Sequence, residues 1–296
     1  MGSVLGFPGV DPVDAVVGAR IRRWRDQRGM TFNDLAAAHQ PDARGAASGR
    51  GGPGASGFRS VGRRDPRPAP AGVGAGVRRP GLLMAARPYR ALFALIGWGA
   101  LGLQYAVLMG GGFTAGPGAL TLRFFSFFTI LTNLLAALAL TGPALAPDSA
   151  LGRWSRSEGV RAAAAMYIVV VGVVYHLLLA GSWNPQGWQK IADILLHTVM
   201  PLAFVGDWLL FTTKGRLRWI DAVKWLIFPL LYGVWTLGHG AMTGWWPYWF
   251  VDMDQLGAAR AAANFAGLLV FFLLLGLIVV AIDRTLGRRD RRLASA

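Results

Sequence analysis

Six apolar runs, each close to the length that crosses a bilayer, leave this chain one architecture, a helical membrane bundle. A span takes about 20 residues at about 1.5 Å of rise each. The runs cover residues 89–109, 124–145, 162–181, 193–211, 223–242 and 262–282. In hydrocarbon every backbone amide must find its partner within the protein, so each run reads as a helix. A soluble helical core is not expected, because too little polar sequence remains to cover it. The chain is 54% hydrophobic with a mean hydropathy of +0.41. The expected fold class is all-α, a polytopic membrane bundle of six transmembrane helices.

Charge sets the expected orientation. Arg78, Arg79, Arg87 and Arg90 precede the first run, and Arg153, Arg156 and Arg161 lie between the second and third. Lys214, Arg216, Arg218 and Lys224 lie between the fourth and fifth, and Arg284, Arg288, Arg289, Arg291 and Arg292 follow the sixth. The other three loops hold Arg123, Lys190 and Arg260. Sixteen cations against three place both termini in the cytoplasm.

Residues 1–83 differ from the remainder, residues 84–296. Half of the chain's 30 basic residues lie in the first 90, and 41–83 are rich in Gly, Ala, Pro and Arg. Such a stretch buries too little apolar surface to offset its ordering entropy, so a disordered tail is expected. Residues 18–38 resemble the opening helix and turn of a repressor-type helix-turn-helix, but Pro41 arrives before a recognition helix. One helix cannot read a groove, so no nucleic-acid partner is expected. Two readings of the region stay open: a tail with a short amphipathic helix, or an upstream extension of a chain that starts at Met84. No cleavable secretory signal is evident, since polar sequence precedes the first run.

With that orientation, several polar groups fall at one depth. Ser126 and Thr129 open the second run, and Asp193 and His197 open the fourth. His176 and His239 close the third and fifth. Polar groups at one depth of a membrane suggest a shared site. Ser126, Thr129 and Asn133 are expected to share one helical face, and Asp193 and His197, four apart, to touch. A hydroxyl becomes a nucleophile when a neighbouring base takes its proton. His197 is the expected base, Asp193 its orienter, and Ser126 or Thr129 the nucleophile. Asn133, Trp N–H groups or a backbone amide would serve the oxyanion. Interhelical hydrogen bonding explains the same polar residues without catalysis. Asp207 lies near the other end, where it is expected to snorkel or to pair with Lys214 or Arg216.

The loop 243–257 is crowded with aromatic residues. An interfacial belt and a lid over a lipid pocket both account for Trp245, Trp246 and Tyr248. With His176, His239 and Asn133 they form the expected substrate-binding set. Two acids, Asp252 and Asp254, make a poor calcium loop. Cysteine is absent, and no nucleotide or HExxH motif occurs, so neither cofactor nor metal is expected. Membrane lipids are the expected partners.

RFFSFFTILTNLL (123–135), His197-Thr198-Val199-Met200-Pro201 and TGWWPYWF (243–250) occur in that order. Together they resemble the bacterial six-span proteins called Pr-six-Pr. More distantly they are similar to the eukaryotic androgen-induced membrane family. Members of that eukaryotic family hydrolyse fatty acid esters of hydroxy fatty acids with an intramembrane Thr and a His. The resemblance covers roughly residues 88–285. It implies a cofactor-free lipid-ester hydrolase of a bacterial inner membrane, with His197 as its histidine. Read without a gap from Arg123, the nucleophile position is Ser126; shifted one turn to keep a Thr, it is Thr129. A non-catalytic lipid-binding or transport protein with a polar outer pocket is the alternative, and a scaffold for other membrane proteins a third.

Overall fold

The computed structural model describes residues 80–294, apart from 114 and 182–183. The expectations for residues 1–79 lie outside the described residues. Among those described, every regular element is helical. Six helical stretches are long and apolar enough to cross a membrane: Met84–Met109, Phe128–Leu145, Glu158–Leu179, Gly187–Phe211, Trp219–Thr243 and Ala258–Arg292. Each contains or overlaps one of the six expected runs, and five of them begin earlier than the hydropathy alone suggests.

The first span belongs to α1 (Pro80–Met109). The second run does not start where hydropathy places it. Residues Pro117–Phe125 form a separate short helix, α2, with proline at its start, and the span proper is α3 (Phe128–Leu145). The break falls at Ser126–Phe127, where Phe127 is extended (φ −87°, ψ 128°). Ser126 helps to end α2: its amide bonds the Arg123 carbonyl and its Oγ donates back to the Leu122 carbonyl at 2.8 Å. The expected common face of Ser126, Thr129 and Asn133 is therefore not formed.

A surface turn, α4 (Ala150–Arg156), leads into the third span. This span is α5 (Glu158–Val174) followed by one π-helical turn, Tyr175–Leu179. The fourth span is α6 (Gly187–Ile194), a second π-turn over Leu195–Val199, and α7 (Met200–Phe211). Sequence explains the second π-turn. Pro201 has no N–H for the His197 carbonyl, and the Met200 amide reaches back five residues to Leu195. Gly172 of α5 faces this point, and a Cβ there would stand 3.4 Å from the His197 oxygen. The fifth span comprises α8 (Trp219–Lys224) and α9 (Ile227–Thr243). The sixth lies in α11 (Ala258–Ala294), after a 3-10 turn at Trp249–Val251 and α10 (Met253–Leu256).

The second and third spans bury the largest share of their residues, and the fifth and sixth the smallest. Small side chains allow the close central packing. Ala136, Ala137 and Ala139 of α3, and Ala162 to Ala165 of α5, are all buried. The first and fourth spans complete this inner group, with Met200 seated against Gly97.

The arginine-rich end is locked by a buried charge cluster that corrects the expectation for Asp207. Its Oδ1 accepts from Arg90 Nε at 2.7 Å, and Oδ2 pairs with Arg161 Nη2. Asp207 is fully buried and Arg161 nearly so. Arg161 also donates to Thr212 Oγ1 at 2.9 Å and to the Ala139 and Ser155 carbonyls at 3.2 Å. Lys214 instead lies over the Trp208 ring. A carboxylate buried between two cations is far cheaper than one left alone, which selects this pairing over snorkelling. Asp283 closes the same end, accepting the Gly215 and Leu217 amides at 2.9 and 3.0 Å.

Candidate functional site

The end opposite the arginine cluster gathers polar side chains around the two π-turns. A π-turn adds one residue and shifts the side chains beyond it by about 100° relative to a continuous α-helix. Asp193 sits in the last turn of α6 and His197 in the following π-turn. His197 Nδ1 lies 3.1 Å from Asp193 Oδ1 and 3.1 Å from the Asp193 carbonyl. With the Nδ1 proton committed to those oxygens, Nε2 carries the basic lone pair. The i, i+4 contact expected from sequence is thus formed.

Tyr175, which the sequence reading did not single out, completes this arrangement. Its hydroxyl donates to Asp193 Oδ2 at 2.5 Å. Its ring stacks on the His197 imidazole, with centroids 3.9 Å apart and planes 13° apart. His176, next in the same π-turn, has Nε2 at 3.1 Å from Thr198 Oγ1. At this end the third and fourth spans are therefore joined by polar contacts at Asp193 and Thr198.

On α3, Thr129 and Asn133 face the same region. Asn133 is fully buried, and its amide donates to the Thr129 carbonyl at 2.9 Å and the Leu196 carbonyl at 3.2 Å. Both N–H groups are engaged in these bonds, which disfavours Asn133 among the three expected kinds of oxyanion donor. Its Oδ1 is instead a buried acceptor with no partner among the described residues.

Thr129 lines a cavity enclosed by the second, third, fifth and sixth spans and the aromatic loop, with about 660 Å³ of empty space including its open side. Within the walls about 60 Å³ accommodates water-sized molecules, below the usual range for small-ligand sites, so a ligand chain would extend through the open side. Its wall is mainly apolar, including Val170, Val174, Phe265 and Phe272, with hydroxyls from Thr129, Tyr175, Tyr232, Thr236 and Tyr248. The Tyr248 oxygen accepts from the Thr129 amide at 3.4 Å. Burial raises the Tyr248 phenol above its ordinary pKa, so it stays protonated. His197 lies behind this wall, under the Tyr175 ring. Among the described residues no hydrogen bond joins a Ser126 or Thr129 hydroxyl to His197.

Ser126 belongs to a second group, around α9. Trp235 Nε1 donates to its Oγ at 3.2 Å, and Tyr232 donates to its carbonyl at 2.9 Å. His239 stacks on Trp235 and meets the edge of Trp245, so its ring contacts are not with the Asp193–His197 pair. Trp246 is buried against Gly240 and donates to Asp254 Oδ2 at 2.8 Å. Asp252 caps α10 by accepting the Asp254 and Gln255 amides. These two acids do structural work, and no group of metal-binding side chains occurs among the described residues.

Two features of this site leave no trace in hydropathy. The π-turns arise from one extra residue per turn, which hydropathy does not register. Tyr175 lies among Val and Leu in an apolar run, where an aromatic residue reads as core. Pro201, four residues after His197, was the available clue to the second π-turn. No family model matches the chain, and neither does any curated protein or solved structure.

Proposed function

We propose that the protein is an intramembrane hydrolase of fatty-acyl esters. Thr129 is its nucleophile, His197 its base and Asp193 the orienter of that base. The observation that carries this reading is the Asp193–His197 pair, backed through Tyr175 onto the wall of an apolar, open-sided cavity that Thr129 lines. The motif resemblance supports His197, and it supports Thr129 in the alignment shifted one turn to keep a Thr; read without a gap it selects Ser126.

The chemistry is ordinary acyl transfer. Thr129 Oγ attacks the ester carbonyl while its proton passes to His197 Nε2. The tetrahedral intermediate collapses, and the alcohol leaves with that proton. Water, deprotonated by His197, then releases the fatty acid and restores Thr129. Asp193, itself held by Tyr175, keeps His197 in the productive tautomer and stabilises the imidazolium. The Tyr248 phenol is the proposed oxyanion donor, since it remains protonated beside the Thr129 amide. Catalytic hydrogen bonds are commonly long before substrate binds, so the Thr129–His197 contact is expected to form with ester in place. Ser126 is disfavoured because its hydroxyl is engaged by Leu122 and Trp235.

By the positive-inside pattern, the site opens toward the outer leaflet of a bacterial inner membrane. The test is fatty-acid release from a panel of long-chain esters by the full chain in nanodiscs. Release from at least one ester, lost in Thr129→Ala, is expected. No release from any ester, with a defined lipid retained, would replace this reading with a non-catalytic lipid-binding protein.

A further inference from the structure

Arg123 lies in the last turn of α2, half-buried, and its guanidinium sits 5.4 Å over the Trp245 ring. Among the described residues it has no carboxylate within 4.0 Å and donates no hydrogen bond. The arginines at the other end contrast with it. Arg90 and Arg161 share Asp207, and Arg87 donates to the Ala144 carbonyl at 2.8 Å. A cation in the last turn of a helix is favourable, yet Arg123 donates to none of the α2 carbonyls. Among the described residues its five N–H donors meet no acceptor.

A file of aromatic rings runs from this cation to the cavity wall, whose lining includes Tyr248 but not Arg123, Trp245 or Phe127. Trp245 meets Phe127 edge-on at 5.5 Å, and Phe127 meets Tyr248 at 5.9 Å. Tyr248 and the next residue after Phe127, Phe128, both line the cavity. His239 braces the other side of Trp245. A guanidinium over a ring face can still offer its N–H fork, which matches two oxygens of a carboxylate or phosphate.

We propose that Arg123, braced by Trp245, binds the anionic end group of a single-chain lipid whose hydrocarbon occupies the cavity. The shared chemistry is a carboxylate or a phosphate monoester on one acyl chain. This rests on the acyl-binding cavity of the reading above but not on hydrolysis.

The test uses the full chain in phosphatidylcholine nanodiscs, with radiolabelled oleic acid, oleoyl lysophosphatidic acid and uncharged oleyl alcohol as probes. At least one anion should bind about tenfold more tightly than the alcohol, and the stronger one identifies the source. Arg123→Gln should erase that preference while oleyl alcohol binds as before. Equal binding of anions and alcohol to the wild type, an unchanged preference in Arg123→Gln, or no binding of any probe would overturn the proposal. If Arg123→Gln also loses the alcohol through misfolding, the wild type decides at a pH low enough to protonate oleate. There the oleate preference must vanish; persistence overturns the proposal. Ester turnover is measured in parallel, so a missing anion preference with intact turnover sinks this inference alone.

Discussion

His197→Ala is expected to lower ester turnover by about a thousandfold, about 4 kcal/mol of transition-state stabilisation. The reason is specific to this geometry. Asp193 and Tyr175 hold His197 so that only Nε2 is free to take a proton. Without that base the Thr129 hydroxyl is a poor nucleophile, whatever its position. The loss should fall on kcat with KM little changed, because the acyl chain is held by the cavity and not by the imidazole. Asp193→Asn should also reduce kcat, by a smaller factor, since it preserves a contact to Nδ1 but favours the wrong tautomer. Steady-state kinetics in nanodiscs, with thermal melts to confirm the fold, reads both. Unchanged turnover in His197→Ala would remove His197 from the chemistry.

Asp207→Ala is expected to be the most destabilising single change in the membrane domain, by about 3–5 kcal/mol. Asp207 is fully buried between Arg90 of the first span and Arg161 of the third. Its removal strands two cations that are themselves largely buried, and Arg161 also loses the anchor for its bonds to Thr212, Ala139 and Ser155. Replacing the pair together, as Arg161→Met with Asp207→Leu, should cost less than Asp207→Ala alone, because it leaves fewer uncompensated charges. Thermal unfolding in detergent measures the order of the two. A melting temperature for Asp207→Ala equal to wild type would mean that the cluster does not hold the bundle together.

Periodicity and hydropathy made the six spans legible because membrane crossing imposes a length that sequence must satisfy. The Asp193–His197 contact was legible for a similar local reason, since residues four apart on a helix always neighbour one another. Ser126 was misread because the helix was assumed continuous from Phe124. Its end is set by hydrogen bonds that Ser126 makes with Leu122 and, across more than a hundred residues, with Tyr232 and Trp235. Asp207 was misread similarly: Lys214 and Arg216 are closer in sequence, but Arg161, forty-six residues earlier, is adjacent in the bundle. The cavity had no signature because its walls are Val, Phe and Tyr from four spans, and each is unremarkable within its own run. Hydropathy thus locates helices in depth and leaves their rotation to packing, which determines whether polar groups at one depth meet.

The central claim is that Thr129 is a nucleophile activated by His197. The most direct measurement is to label the purified protein with a fluorophosphonate and locate the adduct by peptide mass spectrometry, in wild type and in His197→Ala. The expected result is an adduct on Thr129 that disappears in His197→Ala. An adduct on Ser126, or no adduct on a wild-type protein that is folded by thermal melt, would contradict it.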